Sequence, residues 1–136
     1  MDVLAFDQPD LGQRLAALTE EQIDDAPFGI IGFDEGTVVR RYNRFESQAA
    51  GLSQASVVGQ PFFTSVAPCM NNFMVAQRFE DAAIHRDELD ARVPYVLTLR
   101  MRPVKVTLRL LAGPSRPMRY VIVERGPSGS PGPTRS

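Results

Sequence analysis

Cys69 is the only cysteine among 136 residues, placed near the end of the run FFTSVAPCM at residues 62 to 70. A lone thiol has no partner for an intramolecular disulfide, and no set of four ligands for a structural zinc site accompanies it. Three uses remain open to it. It can attack as a thiolate and form a thioester, it can be oxidised as a redox sensor, or it can be buried as a small apolar group. Pro68 precedes it, and a helical turn starting there would aim exposed N–H groups at the sulfur and favour the thiolate. Tyr42 and Glu46 are four residues apart, so a helix over residues 43 to 50 projects them the same way. Phenol and neutral carboxyl are both hydrogen-bond donors, a pair suited to a buried anion. Burial beside such an anion would also push the carboxyl toward its neutral form. On an open surface the same two residues would be an ordinary tyrosine and a solvated helix glutamate. His85, the only histidine, stands in a charge-rich segment and reads as a solvated surface residue and not as a haem ligand.

The elements that must position these groups follow from periodicity. LGQRLAALTEEQIDD, residues 11 to 25, spaces Leu11, Leu15, Leu18 and Ile23 as one or two short amphipathic helices. Two β-branched runs, Phe28 to Phe33 and Thr37 to Tyr42, flank Asp34, Glu35 and Gly36 as a hairpin. Asn43 is an N-cap for a short helix through Ala50, which Gly51 and Ser53 end before a further segment around Val57 to Phe63. A longer helix is expected from Phe73 to Arg86, with Phe73, Ala76, Phe79, Ala83 and Ile84 on one side. VPYVLTLRM and VKVTLRLLA then alternate in period two about an Arg102-Pro103 turn, and MRYVIVER follows after the turn at Gly113 to Pro117. Blocks of strands and helices give an α+β class with an antiparallel sheet. The layout is that of a PAS domain: five antiparallel strands, short helices on one face, and an N-terminal helical cap over residues 1 to 25. The core would span residues 26 to 125. Arg100, Arg102, Lys105 and Arg109 fall by alternation on a solvated sheet face.

Composition narrows the functional classes. With 43% apolar and 23% charged residues the chain is globular and not disordered. A formal net charge of -1 gives no electrostatic footprint for nucleic acid. No apolar run approaches the roughly 20 residues of a membrane span. The acidic start MDVLAFDQPD lacks the basic-then-apolar order of a signal peptide, so a cytoplasmic location, with a reduced thiol, is expected. GPSGSPGPTRS, residues 126 to 136, has nothing to bury and reads as a disordered tail or a linker.

The motif GxxFFxxVAPC, present as GQPFFTSVAPC at residues 59 to 69, is specific enough to go further. Together with FGII, RYNRFES, MRPVKV and YVIVER it resembles the photoactive yellow protein (xanthopsin) family. The resemblance covers nearly all of the chain but the tail, with a one-residue insertion before Met101. It implies a blue-light receptor without enzymatic turnover, carrying p-coumaric acid (4-hydroxycinnamic acid) as a covalent thioester on Cys69. It implies that Tyr42 and a protonated Glu46 hold the phenolate oxygen, and that photoisomerisation is followed by thermal return. The surrounding pocket would draw on Ala50, Leu52, Phe62, Val66, Ala67, Pro68, Leu97 and Met101. The resemblance also implies signalling as a monomer to a downstream protein that the sequence does not name.

The chain departs from the family at several of these positions. Ala50 and Leu52 stand where well-known members have a threonine that supports the tyrosine and an arginine that covers the chromophore. Leu97 and Leu99 replace aromatic residues on the overlying strand, while Met101 matches the methionine associated with fast re-isomerisation. Attachment is therefore expected to be kept, and colour and recovery rate to differ. A colourless PAS module for ligand sensing or protein interaction, or a Cys69 redox sensor, stands as the alternative. The flavin-binding NCRFLQ-like motif of light-oxygen-voltage domains is absent.

Overall fold

The computed structural model describes residues 4–98 and 103–125. Met101, Leu99, Arg100, Arg102 and the tail at 126–136 lie outside the described residues, and so do the calls made on them. Strands β1 (Gly29–Phe33), β2 (Val39–Tyr42), β3 (Leu89–Leu97), β4 (Val104–Ala112) and β5 (Arg119–Arg125) form a five-stranded antiparallel sheet in the order β2-β1-β5-β4-β3. Before them come α1 (Leu11–Ala17) and α2 (Glu20–Asp24); α3 (Arg44–Ala50), α4 (Gln54–Val57) and α5 (Ala76–His85) lie between β2 and β3. The hairpin that opens the sheet docks through β1 onto the last strand, Ile30 opposite Ile122 and Ile31 opposite Val121. Residues from both ends of the chain thus meet at the sheet centre.

Each face of the sheet has its own core. On the inner face Ile31, Phe33, Tyr42, Phe62, Phe79, Leu108 and Val121 pack together. Phe33 stacks on Phe62 at 5.1 Å between ring centroids and meets Phe63 and Phe79 edge-on. On the outer face Leu4, Phe6, Leu11, Leu15 and Ile23 cover Ile30, Leu111, Tyr120 and Ile122. The N-terminal segment is therefore a lid over one side of the sheet, secured by apolar burial. Thr19 caps α2 with a reciprocal capping box to Gln22.

That lid overturns one expectation. Arg109 is not solvated: it is 1% exposed. Alternation does put it on the outer face, but the N-terminal segment covers that face. Its guanidinium donates from Nε and Nη2 to the two Asp90 carboxylate oxygens at 2.9 and 2.8 Å. From Nη1 it donates to the carbonyls of Phe6 and Gln8 at 2.8 and 2.7 Å.

Other boundaries shift for local reasons. β2 starts at Val39 because Thr37 takes a positive φ of 62° in the turn, where Asp34 Oδ1 accepts from the Gly36 and Val38 N–H groups. β3 starts at Leu89, whose buried side chain keeps phase with Val93 and Leu97. The expected long helix begins only at Ala76, because Asn72 Oδ1 accepts from the N–H groups of Met74 and Val75 and closes a turn first. Phe73 is consequently 78% exposed, Ala83 and Ile84 face solvent, and the buried stripe is Val75, Phe79 and Ala82. Among the described residues no helix is long and apolar enough to cross a membrane.

Candidate functional site

Asn43 sets the entrance to the site. Buried at the end of β2, it accepts on Oδ1 from the Glu46 and Ile30 N–H groups at 3.1 and 2.9 Å. Its Nδ2 donates to the carbonyls of Ile23 and Phe28. One side chain thus caps α3, as expected, and ties it to β1 and to the N-terminal lid. Gly51 ends α3 in the left-handed region at φ 74°, a conformation glycine takes without a Cβ clash.

Within this frame Tyr42 and Glu46 are both buried. Tyr42 belongs to the inner core, and among the described residues nothing hydrogen-bonds its hydroxyl. Its phenol is pushed well above the usual tyrosine range, first by burial and second by the Glu46 charge, with the Arg125 cation opposing. A buried hydroxyl with no partner is uncommon, since the lost hydration is uncompensated.

Glu46 has a partner that the sequence reading did not foresee. Arg125, the last residue of β5, donates from Nη1 to Oε1 at 2.6 Å and from Nη2 to Oε2 at 3.0 Å. This is a parallel two-bond ion pair, and it is well shielded: the Glu46 side chain is 4% exposed and that of Arg125 17%. Gly29 makes room for it, because a Cβ there would come within 2.1 Å of Glu46 Oε1. A signal for Arg125 did exist in the sequence. It continues the phase of Val121 and Val123, the inner-facing residues of β5, where an arginine is out of place without a buried acid.

Cys69 lies at the margin of the same core. A single π-helical turn, Phe62–Val66, leads into a 3-10 turn, Pro68–Met70, that starts on the proline as anticipated. The Cys69 carbonyl accepts from the Tyr95 hydroxyl at 2.5 Å and from Asn72 Nδ2 at 3.0 Å, so β3 and the following turn fix the backbone carrying the thiol. Sequence reasoning missed both residues. Of the expected lining, Tyr42, Phe62, Ala67 and Leu97 share this core, with Leu52, Val66 and Cys69 packed against it. Ala50 is buried at the end of α3, while the Pro68 ring faces solvent.

The chain is 31% identical to the photoactive yellow protein of Rhodothalassium salexigens over 125 residues, 92% of this chain and 99% of that one. It belongs to the photoactive yellow protein family. The photoactive yellow protein of Halochromatium salexigens is 29% identical over 110 residues, 81% of this chain and 87% of that one. Among solved structures, the photoactive yellow protein domain of the sensor histidine kinase Ppr from Rhodospirillum centenum matches at a TM-score of 0.76 and 33% identity. That match covers 83% of this chain and 98% of that domain. The PAS domain of the Cronobacter turicensis quorum-sensing receptor RpfR, solved with BDSF, matches at a TM-score of 0.53 and 17% identity, a likeness of fold alone. No family model matches the chain. The PAS fold and the membership in a photoreceptor family thus stand together. Near Tyr42, Ala50 offers no hydroxyl and uncharged Leu52 is half-buried against the core.

Proposed function

We propose that this protein is a blue-light receptor that carries p-coumaric acid as a thioester on Cys69 and signals by a reversible conformational change. The observation that carries the reading is the hydroxyl of Tyr42, without a hydrogen-bond partner among the described residues and buried in the core on whose margin Cys69 sits. A buried donor lacking an acceptor fits an anionic ligand held between the thiol and the tyrosine. When bound, the hydroxycinnamoyl group supplies the light absorption and the isomerisation. The chain's own residues do the rest. Cys69 anchors one end, its carbonyl held by Tyr95 and Asn72. The Tyr42 hydroxyl donates at the other end, and Glu46 holds or gives up a proton at its carboxyl oxygens. Phe62, Val66, Ala67 and Leu97 keep water away, which strengthens each of these contacts.

The output runs through α3. Asn43 links the start of that helix to Ile23, and the Arg44 N–H donates to Asp24 Oδ1 at 2.8 Å. A shift of Glu46 therefore pulls on the end of the N-terminal lid. Loosened, the lid would uncover Ile30, Leu111, Tyr120 and Ile122 for a downstream partner.

The test is reconstitution with p-coumaroyl anhydride. Wild type should gain the mass of one chromophore and a visible band that bleaches in blue light and recovers in the dark; Cys69→Ala should do neither. A wild type that stays colourless and unmodified would sink this reading in favour of a colourless PAS module.

A further inference from the structure

The open edge of the sheet carries a surface that neither the lid nor the pocket around Tyr42 uses. β3 is the last strand there and has a neighbour on one side only. Met74, Pro94, Tyr95, Val96, Lys105 and Val106 line a groove of about 510 Å³ along it. Phe73, Met74, Val96 and Val104 leave apolar side chains in solvent around that groove. The lid stops short of it: Asp7 pairs with Arg92, two residues before Pro94 on β3. We propose that the groove is a docking site for an acidic segment of a partner protein, which seats apolar side chains between Met74 and Val96, and that its occupancy is felt at Cys69.

The strand dictates how such a segment is held. Pro94 stands in the middle of β3 and has no N–H to offer an added strand, so the occupant must be gripped by side chains. The lining dictates its charge. Among the described residues Lys105 is the single charged side chain of the groove, it makes no ion pair, and no acid lines the groove. Arg92 lies next along the same face of β3, and the connection from β3 to β4 carries Arg100 and Arg102 in sequence. The acid Glu124 stands opposite Thr107 on β5, with β4 between it and β3. An apolar groove with cations beside it and no acid in it is complementary to apolar anchors flanked by carboxylates, and a basic segment would meet like charge.

Two walls of the groove share a partner with the backbone that carries the thiol. Asn72 accepts on Oδ1 from the Met74 N–H at 2.9 Å and donates from Nδ2 to the Tyr95 hydroxyl at 2.6 Å. The same Nδ2 donates to the Cys69 carbonyl at 3.0 Å, and so does the Tyr95 hydroxyl at 2.5 Å. A segment that presses on Met74 or Tyr95 therefore shifts the turn holding Cys69, and a change at Cys69 alters the groove in return. The surface needs no chromophore and no release of the lid, so it goes beyond the function proposed above.

The test uses the chromophore-free full chain and a short synthetic peptide that alternates glutamate with leucine and phenylalanine. Fluorescence anisotropy of the labelled peptide reports binding, amide shifts report its place, and alkylation by iodoacetamide reports on Cys69, the only thiol. The peptide should bind and shift the amides of Met74, Val96 and Lys105, and the same peptide with lysine for glutamate should not. Val96 is exposed, so Val96→Asp is expected to fold. It should weaken binding by about tenfold or more, because carboxylates then meet in an apolar groove. Lys105→Glu should weaken it by up to about fivefold, as for an exposed ion pair. Saturating peptide should change the alkylation rate of Cys69, and in Tyr95→Phe, which keeps the ring and loses the hydroxyl, that change should shrink. No binding, equal binding of the lysine peptide, or undiminished binding to Val96→Asp overturns the docking site. Self-association of the chain that Val96→Asp abolishes also overturns it, by assigning the groove to a second copy. Binding with an unchanged alkylation rate overturns the link to Cys69. Failure of p-coumaroyl anhydride to load would strike the photoreceptor reading and leave each of these results standing.

Discussion

Two arginines are withdrawn from solvent on opposite faces of the same sheet, and they are built differently. Arg109, on the outer face, spends its donors on four acceptors: both oxygens of Asp90 and the carbonyls of Phe6 and Gln8. Its acid is the exposed member of that pair, the Asp90 side chain being 46% accessible. Arg125, on the inner face, gives two donors to one carboxylate, and there the acid is the buried member. The outer arrangement is a clamp. Two of its acceptors are backbone, which cannot titrate, and Asp90 can turn to water if released. In the inner arrangement both ends of the carboxylate depend on one cation, and any change in its charge must be settled inside the protein. One arginine holds a segment down, and the other holds a single buried carboxylate.

Breaking the clamp should have the largest effect. Arg109→Met takes the guanidinium from the buried Phe6 carbonyl and from Asp90, and leaves the Gln8 carbonyl only the Leu11 N–H; it should cost about 3 kcal/mol. The loss should be local. Amide exchange of the described N-terminal residues, 4 to 24, should accelerate toward that of an open segment, while the infrared signature of Glu46 stays unchanged. A uniform loss of protection across the sheet would mean that the lid and the strands unfold as one unit, and the comparison would fail.

Crowding the inner pair should come next. Gly29→Ala builds a Cβ 2.1 Å from Glu46 Oε1, so the carboxylate must move away from Arg125. Roughly 1–3 kcal/mol of destabilisation is expected, as for other overpacked sites. Thermal unfolding measures the cost, and the ion-paired carboxylate band of Glu46 should weaken with the lid still protected.

The smallest effect concerns Asp90. The hydrogen bond from Arg109 holds its carboxyl below the usual carboxylate range, against the opposing effect of burial. A pKa depressed on folding contributes stability that is fully present above the unfolded value, about 3.9. That stability is lost as pH falls through the lower folded value. Asp90→Asn should therefore cost at most about 1 kcal/mol at neutral pH, as befits a half-exposed pair. It should also flatten the acid end of the stability curve, followed by urea unfolding between neutral pH and strong acid. An unchanged acid limb would show that the Arg109 clamp rests on its two carbonyls alone.

Much of this protein was legible in its sequence, because the signals were local. Alternation in VKVTLRLLA matched β4 residue for residue, Asn43 announced α3, and Pro68 announced the turn that carries Cys69. The motif around that cysteine led to the family. Local signals also misled where a neighbour in sequence intervened, as when Asn72 closed a turn and left Phe73 outside the helix. What only the tertiary structure decided is which charges are buried and with whom. Periodicity assigns a residue to a face of a strand but does not say what covers that face. Arg109 is buried because residues a hundred positions away fold over it, and Glu46 meets Arg125 because β1 pairs with β5. These contacts join residues 103 and 79 positions apart, and the free energy of a buried charge depends on such partners and on the water they exclude.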